Sequence, residues 1–93
     1  ISHSKLTCNY FDIDFYDFSK KVANYSAHLH LGDAKGFNGE GLQIGHGEVD
    51  FHRLAKIFDK LCPDASFIPE IWQGHKNGGE GFWVALEKLD SIF

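Results

Sequence analysis

Eight residues constrain this chain more than any others: Ser26-Ala27-His28-Leu29-His30-Leu31-Gly32-Asp33. Strand side chains point to opposite faces with a period of two. Ala27, Leu29 and Leu31 therefore share one face, and Ser26, His28 and His30 share the other. An apolar face backed by two histidines predicts a strand over 26–31 that is buried on one side and carries polar chemistry on the other. Gly32 and Asp33 break that strand and open a long loop holding Gly36, Gly39, Gly41, Gly45 and Gly47.

The elements around this strand follow from periodicity. Residues 5–13 read as a polar and aromatic connection. Phe15, Phe18 and Val22 recur at helical spacing over 14–25, with Asp14 as the N-cap. Asp50 caps a second helix whose stripe is Phe51, Leu54, Ala55, Ile57, Phe58 and Leu61. Cys62-Pro63-Asp64 ends that helix, because proline cannot continue it. Residues 66–71 read as a second strand, with Pro69 near its end, where a missing ladder donor is tolerated. Residues 72–79 form a second polar loop. A last helix over 79–92 buries Phe82, Ala85, Leu86 and Leu89. Strands alternating with helices predict an α/β fold of parallel βαβ units. Both strands carry polar residues at their C-terminal ends, the ligand-binding edge of such folds.

Composition sets the outer bounds. At 93 residues and 43% hydrophobic, the chain suffices for one small unit, residues 1–93, with a real core. A net charge of −4 without a Lys/Arg-rich run argues against nucleic acid as a partner. No apolar stretch approaches the roughly 18 residues of a membrane-spanning helix, so no membrane partner is expected. There is no signal-peptide pattern, and Cys8 and Cys62 lack CxxC spacing. They read as two reduced thiols, which together predict a cytoplasmic protein. Because the chain opens at Ile1 rather than Met, it is expected to be a piece of a longer polypeptide.

The runs His28-Leu29-His30-Leu31-Gly32-Asp33, Gly45-x-Gly47-x-Val49-Asp50-Phe51 and Phe67-Ile68-Pro69-Glu70 resemble the last third of the xylose-isomerase-like TIM barrels. That superfamily holds sugar and sugar-phosphate isomerases and epimerases, and the endonuclease IV family. The resemblance implies the last three βα units of a (β/α)8 barrel with parallel strands. It implies a divalent metal ion (Mn, Co, Zn or Mg) bound by His30 at the end of strand seven and Glu70 at the end of strand eight. Ser2-His3 resembles the end of the Asp-x-x-His pattern of strand six, which adds His3 to the implied ligands. The stretch from Glu70 to Asn77 with Gly79-Glu80-Gly81-Phe82-Trp83 resembles the isomerase-type barrels attached to N-acylneuraminate (sialic acid) synthase-like proteins. Endonuclease IV carries Asp-x-His where this chain has Gly39-Glu40-Gly41, so DNA repair is a distant third reading.

These residue types suit the implied chemistry. Moving a proton or hydride between adjacent sugar carbons places charge on two neighbouring oxygens, which a divalent cation stabilises. Imidazole and carboxylate ligands suit such ions, and Glu70 is also the candidate base. His28 faces the same side as His30, deeper in the barrel, and is assigned to substrate contact. His75 and Lys76 precede a helix N-terminus, where free N–H groups favour a sugar phosphate. The structural alternatives are a hydrogen-bonded interior histidine for His28 and His30, a turn role for Asp33 and Glu40, and a plain flexible helix entry for His75 and Lys76. Trp72 and Trp83 are candidates to stack on a sugar ring, with core or interface packing as the favoured alternative. The competing function is a non-catalytic carbohydrate-binding or assembly remnant of such a barrel. Three βα units leave open sheet edges, so self-association through those edges is expected.

Overall fold

The structure is a computed structural model describing residues 1–93. It is a small α/β fold of four helices, one parallel strand pair and one antiparallel hairpin.

Helix α3 (Phe51–Leu61) organises the core. Asp50 caps it by accepting a hydrogen bond from the Arg53 N–H at 3.0 Å. Its stripe was legible in the sequence: Phe51, Leu54, Ala55, Ile57 and Phe58 are buried, and Leu61 is partly so. Leu54 meets Leu31 and Leu89 in one apolar cluster, all three with no exposed surface. Burying each such leucine contributes about 1.5–3 kcal/mol.

Strands β1 (His28–Leu31) and β4 (Ser66–Pro69) run parallel, with His28 opposite Ser66 and His30 opposite Ile68. Leu29 and Leu31 are buried on one face, while His28, His30, Ser66 and Ile68 are exposed on the other. Both strands are shorter than the expected 26–31 and 66–71, and Pro69 closes β4. The parallel α/β expectation thus holds for this pair, although only two strands enter the parallel sheet.

The segment 32–48, expected to be one loop, contains a hairpin of β2 (Asp33–Lys35) and β3 (Gly39–Leu42). Its glycines hid the pairing. Gly36 takes a φ of +64° at the turn, a conformation glycine adopts at no steric cost.

Asp33 holds the rest of this segment. Its carboxylate has no exposed surface. It accepts N–H groups from Ala34 at 2.8 Å, Gly45 and Gly47 at 2.9 Å each, and Val49 at 3.0 Å. A buried charge is tolerated when hydrogen bonds replace its lost water. Gly47 packs so closely that a Cβ there would collide with this carboxylate and with the Ala34 carbonyl.

Residues 5–13, expected as a polar and aromatic connection, lie largely in helix α1 (Ser2–Phe11), and Ser2-His3, expected at the end of a strand, form its first turn instead. It has no side-chain cap, and only Ser2 and Cys8 are buried, so no apolar stripe announces it. Tertiary packing against the hairpin and α2 supplies what propensity does not. One such tie is the Asn9 side-chain N–H donating to the Gly36 carbonyl at 2.8 Å.

Helix α2 (Phe15–Ala23) has the expected cap, with Asp14 accepting the Asp17 N–H at 2.9 Å. That bond holds the Asp14 carboxyl below the usual range for an aspartate. Its buried face differs from the expected one: Phe15, Ser19 and Ala23 are buried, Phe18 is partly covered, and Val22 is exposed. Ser19 fits because its hydroxyl donates to the Phe15 carbonyl at 2.8 Å.

Helix α4 (Lys76–Asp90) begins with a kink, where Asn77, Gly78 and Gly79 all have positive φ. Of its expected stripe, Ala85 and Leu89 are buried, whereas Phe82 and Leu86 remain more than a third exposed. No helix is long and apolar enough to cross a membrane. Cys8 and Cys62 are both free thiols, and burial raises the pKa of each.

Candidate functional site

The C-terminal rim of the β1–β4 pair gathers the polar chemistry. Parallel pairing brings the two strand ends side by side, and the Glu70 N–H donates to the Leu31 carbonyl at 2.8 Å. Gly32 makes this approach fit, since a Cβ there would collide with the Glu70 carbonyl oxygen. The Glu70 carboxylate lies 2.6 Å from His30 Nδ1. An ionised carboxylate only accepts, so the imidazole donates.

His3 arrives at this rim from the first turn of α1. Its Nδ1 lies 4.0 Å from Glu70 Oε1, and its Nε2 lies 2.5 Å from Glu40 Oε2. The order in space is His30, Glu70, His3, Glu40, four side chains from β1, the end of β4, α1 and β3. All four are more than a third exposed, so water screens these pairs and their net stabilisation is small. The Ile1 amine donates to the His30 carbonyl at 2.9 Å beside them. Burial lowers its pKa, and the Glu70 charge partly opposes that shift.

A cleft of about 190 Å³ opens here, lined by Ser2, His3, Glu40, Gly41, Glu70, Ile71 and Trp72. A larger cleft of about 440 Å³ lies between α3, β4 and the C-terminus. Its walls are mainly apolar, with Leu29, Phe58, Phe67 and Phe93 among them. His52, Lys56 and Asp59 also line it, but no hydrogen bond or ion pair joins them, whereas the smaller cleft holds the His3–Glu40 contact and Glu70.

The residues singled out from the sequence divide into two groups. His3, His30 and Glu70 come together. His28 sits one step down the same strand face, its ring centroid 5.2 Å from that of His30, with Nδ1 2.7 Å from the Ser66 hydroxyl. His75 and Lys76 lie exposed at the kinked start of α4 and are not part of the cleft wall. Glu40 and Trp72 do line it. The sequence points to a turn role for Glu40 and to packing or sugar stacking for Trp72. Strand alternation did not flag Glu40, because the hairpin carrying it is hidden among glycines.

The donor types, two imidazoles and two carboxylates, are those that hold Mn²⁺, Co²⁺, Zn²⁺ or Mg²⁺. In this arrangement the donors are engaged with one another, and no three His, Cys, Asp or Glu side chains are placed to hold one ion. Two ligands at right angles on an ion, each about 2.1 Å away, stand about 3 Å apart. The His30–Glu70 and His3–Glu40 separations fall short of that by less than an ångström. The residue types fit the group, but in this arrangement the side chains do not converge on one point. As it stands, the cluster is two imidazole–carboxylate hydrogen bonds, His30–Glu70 and His3–Glu40, set side by side with 4.0 Å between His3 and Glu70. No family model, curated protein or solved structure matches the chain.

Proposed function

We propose that the chain is the C-terminal part of a TIM-barrel enzyme, a divalent-metal-dependent sugar or sugar-phosphate isomerase or epimerase. In this reading it belongs to a polypeptide of the kind that accompanies sialic acid synthases. The observation that carries the proposal is the meeting of His30, Glu70 and His3 at one rim of a parallel strand pair. Strand C-termini are where α/β enzymes place their chemistry.

The bound ion would be held by His30, Glu70 and His3, and would polarise the neighbouring sugar oxygens. The chain's own residues do the rest. Glu70 is the base that takes a proton from the carbon beside the sugar carbonyl. The C–H electron pair moves into a carbon–carbon double bond, and negative charge develops on the carbonyl oxygen. His30 holds the Glu70 carboxylate in place through Nδ1. Isomerisation is complete when the proton of the neighbouring hydroxyl passes to the former carbonyl oxygen and Glu70 returns the carbon-bound proton to the adjacent carbon, which leaves the new carbonyl where the hydroxyl stood.

The test is an assay of the complete polypeptide against aldoses, ketoses and their phosphates with Mn²⁺ present, alongside its metal content by mass spectrometry. Glu70→Ala should lower kcat by about 10²–10⁴-fold, the usual contribution of a general base. Equal activity in both proteins refutes the role of Glu70.

The pairing of Glu70 with His30 favours one second reading, a carbohydrate-binding remnant without catalysis. A metal-free polypeptide that binds sugar without turnover would establish it.

A further inference from the structure

Trp72 is the largest apolar group in the cleft wall, yet 71% of its surface is exposed. Its backbone is fixed. The Trp72 N–H donates to the Gly41 carbonyl at 2.8 Å. Gly41, at φ +61°, lets the hairpin lie against it, and a Cβ there would come within 3.1 Å of the Trp72 nitrogen. The Trp72 backbone is therefore fixed at the cleft that Glu70, His3 and Glu40 also line, while most of its surface stays open to solvent. What sets Trp72 apart from the other exposed aromatics is that it lines the cleft that holds the polar cluster, where an aromatic surface and convergent polar groups can share one ligand.

We infer that Trp72 is the stacking platform of a monosaccharide site, with the C–H face of one sugar ring on the indole and its hydroxyls on His3, Glu40 and Glu70. This inference rests on the carbohydrate reading above and names the residue that would bind the substrate.

Three observations select the ligand class. An exposed indole face attracts either a cation or an apolar C–H surface. The two carboxylates already face imidazoles, at 2.5 and 2.6 Å. The rim thus offers imidazole donors alternating with carboxylate acceptors, not bare negative charge. A quaternary ammonium has no hydrogen bonds to give or take, whereas a sugar hydroxyl does both. The cleft, at about 190 Å³, is also smaller than the roughly 300–1,000 Å³ of drug-sized pockets, which suits one ring rather than a chain of them.

The chain has only two tryptophans, and the second, Trp83, is 68% exposed on α4 outside the cleft wall. It is an internal control. In ¹H–¹⁵N spectra of the full chain, the two indole N–H signals can be followed separately during titration with D-xylose, D-fructose or a hexose phosphate. Tetramethylammonium chloride serves as the cationic arm.

The expected result is a saturable shift of the Trp72 signal in the millimolar range, with the Trp83 signal unmoved. Trp72→Ala should weaken sugar binding by about tenfold, and Trp72→Phe by less. Because the side chain is mostly exposed, the helical spectrum of both variants should match the parent. The inference is overturned if sugars move neither signal in the high-millimolar range, if both signals move alike, or if only tetramethylammonium moves Trp72. Sugar binding without turnover would leave the platform standing and remove the enzyme reading. Turnover with unchanged kcat and KM in Trp72→Ala would do the reverse.

Discussion

Asp33 illustrates how far a single side chain's role departs from its local sequence. It follows a glycine at the end of a strand, which marks a loop. Its partners at Gly45, Gly47 and Val49 lie 12 to 16 residues away, and only folding brings them to it. Replacing the carboxylate in Asp33→Asn keeps the size but turns one acceptor into a donor facing N–H groups. We expect a loss of about 2–3 kcal/mol, because hydrogen bonds to a charged group are strong and an unsatisfied buried donor is costly. Urea unfolding monitored by circular dichroism checks this. A loss below about 0.5 kcal/mol, typical of surface substitutions, would contradict it. His30 and Glu70 are the opposite case. Alternation placed the histidine opposite the apolar face and the carboxylate at a strand end, and both are found there, with His30 open to solvent rather than inside a barrel. Their distance of 2.6 Å required the parallel register.

Among the elements, legibility follows amphipathic strength. Helix α3 has a wide apolar stripe, a capping aspartate and a proline stop, and its position could be read directly. Helix α1 has none of these, and its contacts with the hairpin and α2 hold it. The hairpin was hidden because Gly36, Gly39 and Gly41 read as loop, although Gly41 is where β3 meets Trp72. The junction of β1 with the end of β4 yields a prediction at this scale. Gly32→Ala places a Cβ against the Glu70 carbonyl, which is backbone and cannot step aside. We expect destabilisation of about 1–3 kcal/mol, the usual cost of overpacking. The shifted strand end should also perturb the His30 ring resonances. Unchanged stability and an unchanged His30 spectrum would show that the two strand ends are free to separate.

For the molecule as a whole, the surface is unusually apolar at several places. Tyr10, Phe11 and Phe37 cluster at one end, with Tyr10 4.9 Å from Phe11 and 6.4 Å from Phe37. Phe82, Trp83 and Leu86 lie exposed along α4, and Ile68 is 45% exposed on β4. β4 pairs only with β1, so its other edge presents unpaired backbone groups. We propose that the chain self-associates through that edge. Sedimentation velocity should show a concentration-dependent dimer, reduced by Ile68→Lys, since an edge lysine opposes strand addition. A monomer at every concentration would refute this. By itself, the sequence determined α2, α3, the strand around His30 and the caps at Asp14 and Asp50, because these depend on periodicity and on neighbours a few residues away. Tertiary structure alone decided the helix over residues 2–11, the burial of Asp33 and the gathering of His3, Glu40, Glu70 and Trp72 about one cleft. Those depend on contacts between distant segments, whose closure is settled by packing and by backbone groups needing partners.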